Sequence, residues 1–208
     1  MRELAGTVLL TLHTEPRCLI ALRLAQCLAP KLAPYIMDRR VSEPDSVILS
    51  LNVDLNSYDE TVSKFLRASE LAFIRKGLAS LVDNFLIKNA AHVDGMNKNG
   101  CDRMMLNILV LQQNLKNIEP GADLSKAEDY YELFLEGTEA VLKKAEDMKK
   151  GGYKDATGNA EFDYEELKCL VELCWSEQCK DPERGVSTLA KRNRGDAVLR
   201  LSAIMWQS

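Results

Sequence analysis

Residues 97–118, NKNGCDRMMLNILVLQQNLKNI, decide how this chain folds. Wound as an α-helix, the stretch spreads Cys101, Met104, Met105, Ile108, Leu109, Leu111, Leu115 and Ile118 over most of its circumference. Arg103, Asn107, Asn114 and Asn117 fall on one narrow stripe interrupted by Val110. A helix apolar over so much of its surface must be covered on several sides. The stretch therefore predicts the central helix of a bundle, with the other segments as its cover. The amides on the stripe have two readings. They could orient a substrate, or bond to nearby backbone as amides on a mostly buried helix usually do; the second is the expectation.

Upstream, Glu3–Leu28 reads as a helix with Leu4, Val8, Leu12, Leu19, Leu22 and Ala25 apolar, kinked or split at Pro16. Arg2 followed by Leu4–Leu12 imitates a short signal sequence, but Glu3 and the continuing periodicity favour a mature helix. Pro30, Pro34 and 41–46 read as a connector, and 47–51 as an extended lead-in or the first turn of the next helix. From Ser57 to His92 the spacing predicts one long helix, weakest at Gly77. Downstream, Ser125 with Glu128 has the pattern of a capping box. It opens a helix with the seam Ala127, Tyr131, Phe134, Thr138, Val141, Ala145 and Met148. The outer face of that helix carries the spaced pairs Glu139–Lys143 and Glu146–Lys150. A polar loop at 149–160 precedes a helix capped by Asp163 with Glu166. A last helix, Thr188–Met205, is expected to bury Leu189, Val198, Leu201 and Met205. The fold class is thus all-α: an elongated bundle of long antiparallel helices.

Composition agrees. The 208 residues are 46% hydrophobic and 6% aromatic, with only 6 prolines and 11 glycines, which suits helices better than a sandwich or barrel. A net charge of −4 gives no general attraction to nucleic acid. Cys18, Cys27, Cys101, Cys169, Cys174 and Cys179 lie largely among apolar neighbours, as reduced thiols of an intracellular protein do. Cys169, Cys174 and Cys179 are five residues apart on a helix, so they point about 140° from one another and cannot converge on a metal.

Catalytic signatures are missing. The sequence has no phosphate-cradling loop, no nucleophile elbow, no H-E-x-x-H and no C-x-x-C, and its histidines, His13 and His92, lack a Glu three residues before them. No enzyme, cofactor, metal or small-molecule substrate is expected. The acidic run Glu161, Asp163, Glu165, Glu166 reads as a helix start favoured by the dipole, with paired-carboxylate chemistry as the alternative. One charge feature stands out: Arg184, Lys191, Arg192, Arg194 and Arg200, with only Asp196 among them from 184 to 200. Such a cluster reads as a solvated face or a contact with an acidic subunit, and alternatively as a contact with anionic lipid.

The same central stretch carries a resemblance. Gly100, Met104, Asn107–Leu115 and Asn117-Ile118 closely resemble the C-terminal region of the exocyst component four (Sec-eight) family. Further matches keep the same order: Thr7, Leu9, Leu10, Leu12, His13, Glu15 and Arg17; Leu51, Asn52 and Asp54; Ala127, Tyr130, Tyr131 and Glu132. The resemblance implies a rod-like stack of helical bundles, the CATCHR-like tethering-complex fold. The chain would be the C-terminal part of a several-fold longer subunit, with 1–46 as leading helices and connector and 47–208 as the main bundle. It implies a non-enzymatic scaffold that holds secretory vesicles at the plasma membrane before fusion. Its partners would be other exocyst subunits and the vesicle and plasma-membrane machinery, its place cytoplasmic and peripheral at sites of secretion. Pro16 and the loop at 149–160 depart from the family pattern. The end, Trp206-Gln207-Ser208, lacks the hydrophobic terminus that some animal relatives present to PDZ domains, so that partner is not implied. The runner-up is a helical adaptor of another trafficking complex; the third reading is a small helical enzyme using His92, a carboxylate and a cysteine.

Overall fold

A computed structural model describes residues 2–29, 35–151 and 161–206. The expected loop at 149–160 and the connector prolines Pro30 and Pro34 fall largely or wholly outside them. Described residues form α1 (Arg2–Leu28), α2 (Ser46–Ser63), α3 (Ala68–Arg75) and α4 (Leu78–Lys88), then a 3-10 turn at Ala90–His92. There follow α5 (Lys98–Ile118), α6 (Ser125–Glu136), α7 (Thr138–Lys149), α8 (Tyr164–Cys174), α9 (Ser176–Cys179) and α10 (Arg184–Trp206). Among the described residues there is no strand, only an isolated bridge between Tyr35 and Met96. The protein is all-helical.

α5 lies between α2 and α6 and touches α4. Cys101, Met104, Ile108, Leu111, Leu115 and Ile118 are buried along it, while Leu109, Gln113, Lys116 and Asn117 form its one exposed strip. α1 packs on α2, α3 and α4; α10 closes the other end against α7, α8 and α9. One continuous core runs from Ile20 and Leu24 of α1 through α5 to Leu201 of α10.

The helix breaks are where sequence periodicity misleads. The single helix expected over Ser57–His92 is three helices, broken at 64–67 and at Gly77, which sits at φ 83° in the left-handed region. At 64–67 the caps are local, through Glu70 on the Arg67 amide, but the ends at Gly77 find distant partners. The guanidinium of Arg17 donates to the Ile74 and Lys76 carbonyls, ending α3 at 3.0 and 2.5 Å. The Glu119 carboxylate accepts from the Gly77 and Ala79 amides, starting α4 at 2.6 and 2.9 Å. With partners for the otherwise orphaned groups, the breaks cost little. Likewise the seam expected to run unbroken from Ala127 to Met148 is interrupted at Gly137, φ 90°.

The capping box expected from Ser125 and Glu128 does not form. Ser125 is the first residue of α6, and its hydroxyl donates to Asp123 at 2.9 Å. The cap comes from another helix: Asp83 of α4, buried, accepts from the Ala127 amide at 2.7 Å. Asp163 and Glu166 do form the reciprocal box at the start of α8, at 2.8 and 2.9 Å.

Pro16 does not split α1, which runs as one helix from Arg2 to Leu28. A proline has no N–H for the carbonyl four residues before it. That carbonyl, Leu12, accepts instead from the phenolic hydroxyl of Tyr58 on α2. The α1 residues that enter the core are Ile20, Leu24, Cys27 and Leu28; Leu22 and Ala25, expected inside, are exposed. Similarly α10 begins at Arg184 and buries Ala190, Ala197 and Leu201, whereas Leu189 is exposed.

Candidate interaction surfaces

The first half of the polar stripe of α5, Arg103 and Asn107, is spent on the fold, while Asn114 is buried and Asn117 is exposed. Asn107 accepts from the Asp45 amide at 2.8 Å and faces the Cys27 thiol, and Arg103 pairs with the buried Asp45 carboxylate at 3.0 Å. Asp45 in turn caps α2 through the Val47 amide. At the other end of α5, Asn97 caps the helix and holds the 35–37 strap: it accepts from the Gly100 amide at 3.0 Å and donates to the Met37 carbonyl at 3.0 Å. Gly100 is required there, because a Cβ would stand 1.7 Å from the Tyr35 carbonyl oxygen.

Groups that could do chemistry are kept apart or quenched. His13 stacks on Phe73, where burial and then the Arg17 charge hold its imidazole below the usual range. His92 lies in the exposed 3-10 turn beside the Asn89 carbonyl, and the described ion pairs include no histidine. Burial pushes the Cys27, Cys169 and Cys174 thiols up to about 11, far from a thiolate nucleophile. Among the described residues no group of three metal-ligating side chains converges. The acidic run at 161–166 is divided among structural tasks: Glu161 pairs with Lys144 at 2.8 Å, Glu165 with Lys168 at 3.1 Å, and Asp163 and Glu166 cap α8.

α10 does not gather its basic residues into one patch. At 100° per residue, Arg184 and Lys191 share a line, Arg192 lies about 80° to one side and Arg194 about 80° to the other. Arg200 points elsewhere and forms a bidentate pair with Glu139 of α7, at 2.6 and 2.9 Å. Glu139 is thereby taken from the expected Lys143 pairing. Arg184, Lys191 and Arg192 are exposed, Arg194 half-buried, and these four form no ion pair among the described residues.

An apolar surface that periodicity alone did not mark lies at the start of α1. Leu4 and Val8 are 70% and 51% exposed, and Phe65 in the α2–α3 turn is 81% exposed. Leu4, Ala5, Val8, Leu9 and Leu12 wall one side of an open groove of about 630 Å3, and Leu66 and Glu70 the other. The apolar spacing of Leu4 and Val8 was legible in the sequence; their exposure was not.

No family model matches the chain. It is 47% identical over 236 aligned residues to a probable exocyst complex component sec8 of Neurospora crassa, an alignment spanning 99% of this chain and 21% of that protein. The chain belongs to the exocyst component 4, or Sec8, family. Exocyst complex component 4 of Dictyostelium discoideum is 31% identical over 76% of this chain and 13% of its own length. The human Sec8 relative is 29% identical over 68% of this chain and 15% of its own length. The chain thus spans about a fifth or less of the Sec8 relatives it matches. The helical bundle agrees with the CATCHR-type fold that membership of the Sec8 family implies. No described helix is long and apolar enough to cross a membrane.

Proposed function

We propose that this chain is the C-terminal helical region of an exocyst subunit, a non-enzymatic scaffold in tethering secretory vesicles to the plasma membrane before fusion. The observation that carries this reading is identity of 47% sustained over 99% of the chain with a sec8 protein. Commitment of Asn107, Arg103 and the acidic run to internal contacts is in keeping with a scaffold. The subunit would act in the cytoplasm, peripherally at sites of secretion, with other exocyst subunits as its partners. The decisive experiment is affinity purification of the tagged full-length subunit from its own cells. Other exocyst subunits should co-purify, and deletion of 97–118 should abolish their recovery through unfolding of this region. Recovery of a different trafficking complex, without exocyst subunits, would establish the adaptor reading instead.

For Arg184, Lys191, Arg192 and Arg194, the reading is a contact with an acidic face of a neighbouring subunit. Four cations that form no ion pair among the described residues are open to an external partner, and their spread around α10 suits a wrapped contact better than a flat membrane. Charge reversal at Arg192 and Arg194 should weaken co-purification in a salt-dependent way. Loss of binding to phosphatidylserine vesicles with co-purification intact would assign the cluster to lipid.

A further inference from the structure

The segment between Tyr35 and α2 carries a pattern that neither the fold nor the scaffold role uses. Arg39-Arg40-Val41-Ser42 sets two guanidinium groups three and two residues ahead of a serine hydroxyl, and no other serine or threonine of the chain has arginine at both positions. Ser187 has Arg184 three residues before it, but it lies inside α10 with its hydroxyl donating to the Arg184 carbonyl at 3.4 Å. Ser42 is exposed, and the backbone around it, from 36 to 45, is neither helix nor strand. That segment is anchored at both ends: the Met37 amide and carbonyl bond to the Asn97 side chain, and Asp45 caps α2. Between the anchors, the ion pair among the described residues is Arg40 with Asp102 at 3.1 Å, and Arg40 is largely exposed. Pairs so open to water are worth little, so the segment gives up little when it is drawn into another protein's cleft.

We propose that Ser42 is a phosphorylation site for a basophilic serine/threonine protein kinase, and that Arg103 and Arg40 hold the phosphate against the start of α2. Arginines at fixed offsets ahead of a hydroxyl are the charge pattern by which such a kinase selects its substrate. In the transfer the Ser42 Oγ attacks the γ-phosphorus of ATP. The new O–P bond forms as the bond to the β–γ bridging oxygen breaks; ADP leaves, and the hydroxyl proton passes to the kinase's base. The receiving site is on the page. Arg40, Ser42, Ser46 and Arg103 line one open cavity of about 510 Å3, with Glu43 the acid on its wall. Arg103 is four-fifths buried, and its Nε is buried without a hydrogen-bond partner. Its pairing with Asp45 uses another nitrogen, which leaves a donor for a phosphate oxygen. Ser46 opens α2, an 18-residue helix whose N-terminal dipole favours negative charge. Glu43 is exposed and screened by water, so two guanidinium groups and the helix end outweigh it. The inference rests on this segment and cavity, and on neither family membership nor tethering.

The test uses the full-length subunit. Purified from its own cells under phosphatase inhibitors, it should carry phosphate at Ser42 by peptide mass spectrometry; recovery of that peptide in unmodified form only overturns the proposal. Once dephosphorylated, the folded subunit should be labelled again at Ser42 by the catalytic subunit of a basophilic kinase with magnesium and ATP. Labelling of a synthetic 36–47 peptide but not of the folded subunit would show that the fold withholds the hydroxyl, and overturns it too. Arg39→Ala, at a position with no ion pair among the described residues, should slow labelling at least ten-fold with circular dichroism unchanged. An unchanged rate removes the arginines as the recognition element. For the holding site, a phosphatase should release phosphate at least ten-fold more slowly from the folded subunit than from the phosphorylated peptide. Arg40→Ala should restore most of the peptide's rate; equal release from subunit and peptide overturns the assignment of Arg103 and Arg40.

Discussion

α5 and the first half of α1 are written in the same alphabet and end in different places. Both carry leucine-rich faces at helical spacing. α5 is enclosed by α2, α4 and α6, and Leu111 at its centre has no accessible surface; Val8 of α1 is 51% exposed. The difference is one of neighbours. α5 lies between α2 and α6 with α4 against it, whereas the first turns of α1 face an open groove walled on the other side by Leu66 and Glu70. An apolar face states that burial is favourable; it does not say that the fold supplies a burying neighbour.

Mutations can break that comparison. The largest effect is expected from Gly100→Ala, whose methyl group would collide with the Tyr35 carbonyl at 1.7 Å. With backbone on both sides of the clash, urea denaturation should show a loss of about 3 kcal/mol or more. Leu111→Ala should cost about 2–5 kcal/mol, as truncation of a fully buried leucine does. Val8→Ala in the same 208-residue chain should stay within about 0.5 kcal/mol, as surface substitutions do. Comparable losses at the two positions would show that α1 is covered after all.

Tyr58→Phe sharpens the comparison within α1. It removes the hydroxyl that donates to the Leu12 carbonyl, left without its helical amide by Pro16, and about 1–2 kcal/mol should be lost. A Pro16→Ala background, which restores the amide, should shrink that loss; an unchanged loss would show the hydroxyl acts otherwise.

Asp83 supplies a pH test of the crossing between α4 and α6. Burial raises its carboxyl from 3.8 to about 6, outweighing the Ala127 amide and the Lys126 charge that favour the anion. A raised folded-state value means the folded protein binds the proton more tightly than the unfolded chain. The Asp83 contribution is therefore fully present below 3.8 and is lost as pH rises through about 6. Asp83→Asn keeps an oxygen for the Ala127 amide, so melting temperature should vary less with pH across that window. The smallest effect is expected from charge reversal at Arg192 and Arg194, which should leave the melting temperature nearly unchanged; a drop of more than a few degrees would make those arginines structural.

The central helix, the all-helical class and the Asp163–Glu166 start of α8 were legible because each depends on residues within a few positions of one another. The breaks at 64–67 and Gly137 were not, nor was the passage of α1 through Pro16, and Gly77 was legible as a weak point but not as a break. In two of these the local pattern is overruled from elsewhere: Arg17 and Glu119 satisfy the ends around Gly77, and Tyr58 satisfies Leu12. Pro16 could have prompted a search for a donor to Leu12, but nothing in spacing alone points to a residue 46 positions away. The Ser125–Glu128 pattern failed for a local reason, since the Ser125 hydroxyl donates to Asp123 and the Glu128 amide bonds to the Leu124 carbonyl, while Asp83 of α4 takes the Ala127 amide.

The basic cluster shows the limit from the other side. Five cations within 184–200 form a cluster along the chain, but the helical turn scatters them and Glu139 neutralises Arg200. From composition and periodicity come the helices, their apolar faces and the demand that α5 be enclosed, because these follow from backbone geometry and the transfer of side chains out of water. Tertiary structure alone decided where helices stop, which polar group caps which end and which apolar face stays bare. Those outcomes depend on unpaired backbone groups meeting side chains brought close by packing, and distance along a chain does not measure distance in space.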